Sequence, residues 1–119
     1  MKIIIQRDRL VQSVNDVLKA VSTRTTIPIL TGIKLKANEE GVTLTGSDSD
    51  ISIESYIPSE EDGQELVEIK ETGSIVLPAR FFAEIVKKLP ENTVEIEVHS
   101  HLQTLIRSGK AEYKLNGLN

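Results

Sequence analysis

Apolar side chains recur along the chain with two spacings, near two and near three to four residues, and the spacings follow one another in the same order twice. Residues 2–6 contain Ile3, Ile4 and Ile5 and read as a short strand. Asp8 then suits a helix cap, and Leu10, Val11, Val14, Val17, Leu18 and Val21 fall on one helical stripe. After Pro28, alternating or apolar runs at 29–37, 42–45 and 51–57 are separated by Asn38-Glu39-Glu40-Gly41 and Gly46-Ser47-Asp48-Ser49-Asp50. Turn chemistry between short apolar runs predicts a three-stranded antiparallel meander.

The segment 58–63 is acidic, polar and closed by Gly63, so it reads as a surface loop and as the best internal boundary, though too short for a domain linker. The order then repeats. Strand material at 66–69 and 74–77 leads to Pro78, suited to a helix's first turn, and to a stripe of Phe82, Ile85, Val86 and Leu89 that Pro90 ends. Three more strands follow, at 94–98, 102–106 and 111–115. The pattern is strand, helix, three strands, written twice with few identities between the halves. Two such units related by a pseudo-twofold axis would place both helices on one face of a common antiparallel sheet, an α+β fold.

The 119 residues, 39% of them hydrophobic, suit one domain, 1–119, with a moderate core. With two Phe, two Tyr and no Trp, that core is built from Ile, Val and Leu. The absence of cysteine removes disulfides, thiolate metal sites and cysteine nucleophiles, and fits a reducing, cytoplasmic setting. No apolar run approaches the roughly 18 residues that span a bilayer, so no membrane role is expected. The formal net charge of −4 conceals an asymmetry: residues 38–72 carry eleven acids against Lys70 alone, and the remaining residues carry 13 basic and 7 acidic side chains. An acidic side and a basic side follow if the fold segregates them.

Catalytic and metal chemistry is sparse. His99 and His101 have a spacing that could place both on one strand face for a metal, but hairpin turns favour such polar residues. Asp48 and Asp50 could form a paired-carboxylate or hard-metal site, yet they lie in a turn where aspartates bond their own backbone. Gly109-Lys110 lacks the Ser or Thr and the upstream glycine of a phosphate loop. No metal, cofactor or catalytic residue is therefore assigned. A hydrolase using Asp48, Asp50 or the His pair remains one competing reading, and a stand-alone module docking a basic partner on its acidic face another. The polar helix faces hold Arg9, Gln12, Ser13, Asp16 and Lys19, with Arg24 just beyond, and Arg80, Glu84, Lys87 and Lys88. Side by side, they would give a basic surface suited to a phosphate backbone and without any device for reading bases.

The chain resembles the first domain of the bacterial beta sliding clamps, the processivity subunits of DNA polymerase III. The resemblance rests on Met1-Lys2-Ile3 with Leu10 onward, Arg24-Thr25-Thr26-Ile27-Pro28-Ile29-Leu30, Thr43-Leu44-Thr45-Gly46-Ser47-Asp48, Leu77-Pro78-Ala79-Arg80-Phe81-Phe82 and Ile106-Arg107-Ser108-Gly109-Lys110. It covers essentially the whole chain and is nearest to Bacillus-like members.

The resemblance implies the clamp fold, with this chain the first of three domains in a protein whose two copies close head to tail around duplex DNA, helices inward. It implies a non-enzymatic role. It carries DNA contact onto Arg24 and Arg80, to which the helix faces add Lys19, Lys87 and Lys88. The face toward the second protomer would hold Phe81, Ile85 and the segment 107–115 with Arg107, Lys110 and Glu112; the last replaces a residue that is basic in some members. Polymerase and clamp loader would bind through the later domains.

Overall fold

The computed structural model describes residues 1–21, 31–48 and 50–118. In chain order the elements are β1 (Lys2–Gln6), α1 (Arg7–Leu18), β2 (Gly32–Ala37), β3 (Gly41–Ser47) and β4 (Ser52–Pro58); then β5 (Glu60–Glu61), β6 (Gln64–Glu65) and β7 (Val67–Glu71); then β8 (Gly73–Pro78), α2 (Ala79–Lys88), β9 (Thr93–Val98), β10 (Gln103–Ser108) and β11 (Ala111–Asn116). Both predicted helices and both three-stranded meanders are present. Part of the run predicted at 29–37 lies outside the described residues.

Every strand pair is antiparallel, but the strands part into two principal sheets rather than one common sheet. One has the order β4-β3-β2-β8 and the other β11-β10-β9-β1-β7. The opening strand of each half has crossed to the other half's meander: β8 pairs with β2, and β1 pairs with β9. This exchange ties the halves into one domain, because neither sheet can be completed without a strand from the other half.

Strand alternation supplies the inner faces. Ile33, Leu35, Leu44, Ile57, Ile75 and Leu77 point inward from one sheet, and Ile3, Ile5, Val94, Ile96 and Ile106 from the other. Leu10, Val14 and Val17 of α1 and Phe82, Ala83 and Val86 of α2 complete a single core. The helices touch each other and both contact β2, so they lie side by side on the same face of the four-stranded sheet, as the doubled pattern requires. Close approach of α1 to β3 depends on Gly46, where a Cβ would collide with the carbonyl of Val17.

Local signals account for the helix ends with two corrections. Asp8 is not the cap: α1 begins at Arg7 after an extended Gln6 that makes no side-chain cap, and Asp8 sits in the first turn, paired with Arg7. Pro78 closes β8 and stands just before α2, which ends at Lys88 with Leu89 extended, the conformation that a following proline imposes. The segment 58–63 is more ordered than a loop. Residues 60–65 form a two-stranded hairpin whose tip, Asp62-Gly63, holds both residues at positive φ, 52° and 79°. Among the described residues, no helix is long and apolar enough to cross a membrane.

Candidate nucleic-acid interface

Of the five basic residues expected to face DNA, four are placed. Lys19 is exposed immediately after α1, Arg80 is exposed at the start of α2, and Lys87 and Lys88 are exposed in its last turn. Arg24 lies outside the described residues. Lysines at a helix C-terminus are favoured by the partial negative charge of its open carbonyls. None of the four has an ion-pair partner among the described residues.

The remaining helix charges are largely spoken for. Arg7 pairs with Asp8 at 3.1 Å, and Arg9 reaches Glu61 of the β5-β6 hairpin at 2.7 Å. The exposed helix surface thus sets Lys19, Arg80, Lys87 and Lys88 against only Asp16 and Glu84. Ser13, expected on that surface, is buried, and its hydroxyl accepts a hydrogen bond from Ser55 of β4 at 2.8 Å. The two helices are also linked by Arg7, which sequence reasoning did not single out. Its Nη2 donates to the carbonyl of Lys87 at 3.2 Å and its main-chain N–H to the carbonyl of Asn92 at 2.8 Å.

The residues expected to meet a second protomer fall into two groups. On α2, Phe81 is 64% exposed and Ile85, one turn on, is half-buried. On the five-stranded sheet, β11 is an edge strand, with Lys110 in the turn that precedes it. Arg107 and Glu112 are paired, Nε to Oε2 at 2.9 Å, and Nη1 of Arg107 also reaches Glu95 at 2.9 Å and Glu97 at 3.3 Å. Lys2 stands 3.9 Å from Glu95 and 3.7 Å from Glu97, and Nε2 of His99 lies 3.2 Å from Glu97. Hydrogen bonds to Glu112 and Glu95 raise the Arg107 pKa against the opposing pull of burial. Partial burial works to raise the Glu97 carboxyl, but the His99 hydrogen bond, Lys2 and Arg107 outweigh it and hold it below its ordinary value.

The other candidate sites resolve into turns. Oδ1 of Asp48 accepts the main-chain N–H groups of Asp50 at 2.7 Å and Ile51 at 2.8 Å, and these bonds lower its pKa. His101 is exposed with φ 58° in the 3-10 turn between β9 and β10, so it does not share a strand face with His99. Among the described residues, no three His, Asp or Glu side chains are grouped to hold a metal.

Comparison with known proteins agrees with this architecture. Residues 1–119 match the family model described as DNA polymerase III beta subunit, N-terminal domain. The chain is 70% identical over its full length to the beta sliding clamp of Bacillus subtilis, covering 32% of that protein, and 63% identical to that of Halalkalibacterium halodurans, covering 31%. It superposes on the crystal structure of the Bacillus subtilis sliding clamp with a TM-score of 0.98, covering all of this chain and 31% of that one. For the beta subunit of Pseudomonas aeruginosa the TM-score is 0.87 at 28% identity, covering 100% of this chain and 30% of the other. The chain therefore spans about a third of the length of the curated relatives it matches. Matched along its whole length in sequence and in fold, this chain belongs to the family of the DNA polymerase III beta subunit N-terminal domain.

Proposed function

We propose that this domain is the first of three in a bacterial sliding clamp, a cytoplasmic, non-enzymatic ring of two head-to-tail copies that encircles duplex DNA and gives the replicative polymerase its processivity. The observation that carries this reading is the surface of the paired helices, where Lys19, Arg80, Lys87 and Lys88 are exposed, with no ion-pair partner among the described residues, against two acids. Such a surface attracts a phosphate backbone weakly and without sequence preference. Weak attraction suits a ring that must slide, since encirclement, and not local affinity, keeps the duplex inside.

In this reading Arg24 joins Arg80, Lys19, Lys87 and Lys88 on the inner surface. Phe81, Ile85, Arg107, Lys110 and Glu112 belong to the boundary with the third domain of the second protomer, where a largely exposed Phe81 and an open sheet edge would both find cover. Polymerase and clamp loader engage the later domains. The whole-chain family match does not favour a stand-alone acidic module.

The experiment is topological. The full-length protein, loaded on nicked circular duplex by its clamp loader, is expected to stay bound in high salt and to leave when the circle is linearised. Retention on linear duplex with free ends would overturn the reading.

A further inference from the structure

The row Glu95, Arg107, Glu112 runs straight across three strands. Arg107 of β10 stands opposite Glu95 of β9 on one side and Glu112 of β11 on the other. All three side chains lie on the sheet face turned away from the core, since Thr104, Ile106 and Ser108 of β10 are the buried ones. The guanidinium fork makes bonds of 2.9 Å to both carboxylates. Glu112 is therefore drawn inward along its own sheet, toward β10, and its charge is partly offset by a guanidinium that it shares with Glu95 and Glu97. Lys110 and Lys114, on either side of it, are exposed and have no ion-pair partner among the described residues.

We propose that Arg107 is a positioning residue that draws Glu112 back and partly masks its charge, so that β11 meets its neighbour as a predominantly cationic edge, through Lys110 and Lys114, and Glu112 makes no ion pair across the boundary. This rests on the reading that β11 borders a second copy of the full-length chain. An edge strand carrying two exposed cations and one partly offset acid fits a neighbouring strand that is acidic and offers no base opposite Glu112. The mask also has a direction. Without Arg107, Glu112 would project an uncompensated negative charge between the two lysines, toward that acidic neighbour.

The test is subunit dissociation of the full-length dimer, followed by sedimentation and subunit exchange at two salt concentrations. Lys110→Glu and Lys114→Glu are expected to weaken the dimer by at least about tenfold and to change its salt dependence. Glu112→Gln should shift dissociation by less than about threefold, the scale of an exposed pair. Arg107→Gln should weaken the dimer, and Arg107→Gln with Glu112→Gln should recover most of the loss, a rescue that simple disruption of the strand would not give. If Glu112→Gln weakens the dimer as much as Lys110→Glu, or if the double substitution is no better than Arg107→Gln, the masking role is overturned. If neither lysine reversal affects the dimer, it is the placement of β11 at the boundary that fails.

Discussion

Arg7, the first residue of α1, donates from Nη2 to the main-chain oxygen of Lys87 in the last turn of α2, at 3.2 Å. One side chain thereby joins the beginning of one helix to the end of the other. The bond places a positive group at the negative end of α2 and satisfies a carbonyl that the helix itself leaves open. Nε of the same side chain is buried with no hydrogen-bond partner among the described residues, which offsets part of the gain. Arg7→Ala is expected to cost about 1–3 kcal/mol in urea unfolding. Arg7→Met, which keeps the packed stem but not the bond, should cost less, and a Met variant as stable as the parent would mean that the bond to Lys87 contributes nothing.

Ser13 and Ser55 form the corresponding link between α1 and β4, hydroxyl to hydroxyl at 2.8 Å, with Ser13 only 4% exposed. Removing one hydroxyl strands the other in a poorly solvated place, whereas removing both leaves two methyl groups facing each other. Each single substitution to Ala should cost about 1 kcal/mol, and the double substitution less than the two together. A double-mutant cycle by thermal or urea unfolding measures this directly, and strict additivity would show that the hydroxyls do not interact.

Ser13 also shows where reading from sequence stops. Three residues from Leu10, it has the position of a helix boundary residue and the chemistry of a solvent-facing one; only the arrival of Ser55 from β4 decides between them. The same holds for the sheets. Alternation along 33–37, 42–44 and 94–98 marks which side of each strand is buried. It does not mark which strand β1 will join, because pairing β1 with β9 and β8 with β2 is a choice between segments of similar apolar character. The β5-β6 hairpin is legible in the sequence, since Asp62-Gly63 is the dipeptide that a two-residue reverse turn favours. The motif around Arg107 is visible in the sequence, but its partners are not, as cross-strand neighbours follow from register and register from the fold.

Two carboxyls lie below their ordinary pKa, and both predict acid sensitivity. Asp48 is held down by the N–H groups of Ile51 and Asp50, and Glu97 by His99, Lys2 and Arg107 in excess of its partial burial. A carboxyl whose folded pKa is depressed contributes stability that is fully present above its unfolded value, near 4, and is lost as pH falls through the lower folded value. Stability should thus decline below about pH 4. Asp48→Ala should be less stable than the parent at neutral pH and lose less on acidification. Asp48→Asn, still able to accept both N–H groups, should keep more of the neutral stability, and curves of the three proteins parallel from pH 7 to 2 would contradict this account.

Tyr113 and Ile106 stand opposite each other on β11 and β10, and their burial predicts unequal roles. Ile106 is fully buried, whereas Tyr113 is only half-buried on the open edge strand. Ile106→Ala should cost about 2–5 kcal/mol, a large part of the stability of a domain this size. Tyr113→Ala should cost less and leave the domain folded, in contrast to a core position, because the edge strand shields only one flank of the ring. Reversal of Glu112 should likewise leave it folded. Chemical denaturation of the variants ranks them, and unfolding of the Tyr113 variant in native buffer would place the edge strand within the core after all.

A titration of this domain with duplex DNA would separate local attraction from the proposed encirclement. The domain's exposed helix surface carries Lys19, Arg80, Lys87 and Lys88 against Asp16 and Glu84, within a chain of net charge −4. A few phosphate contacts, opposed by that overall charge, support no more than ordinary non-specific binding, with Kd about 10⁻⁴ M or weaker at physiological salt. Binding should fall as salt rises, with a shallow slope because few counterions are released, and should not depend on base sequence. Arg80→Ala or the pair Lys87→Ala with Lys88→Ala should weaken it further, while Lys70→Ala, in the acidic stretch, should not. A fluorescence titration with a short duplex at low and moderate salt tests each point. Nanomolar affinity, or preference for one sequence, would mean that the surface grips DNA at a fixed place, which is incompatible with a ring that slides.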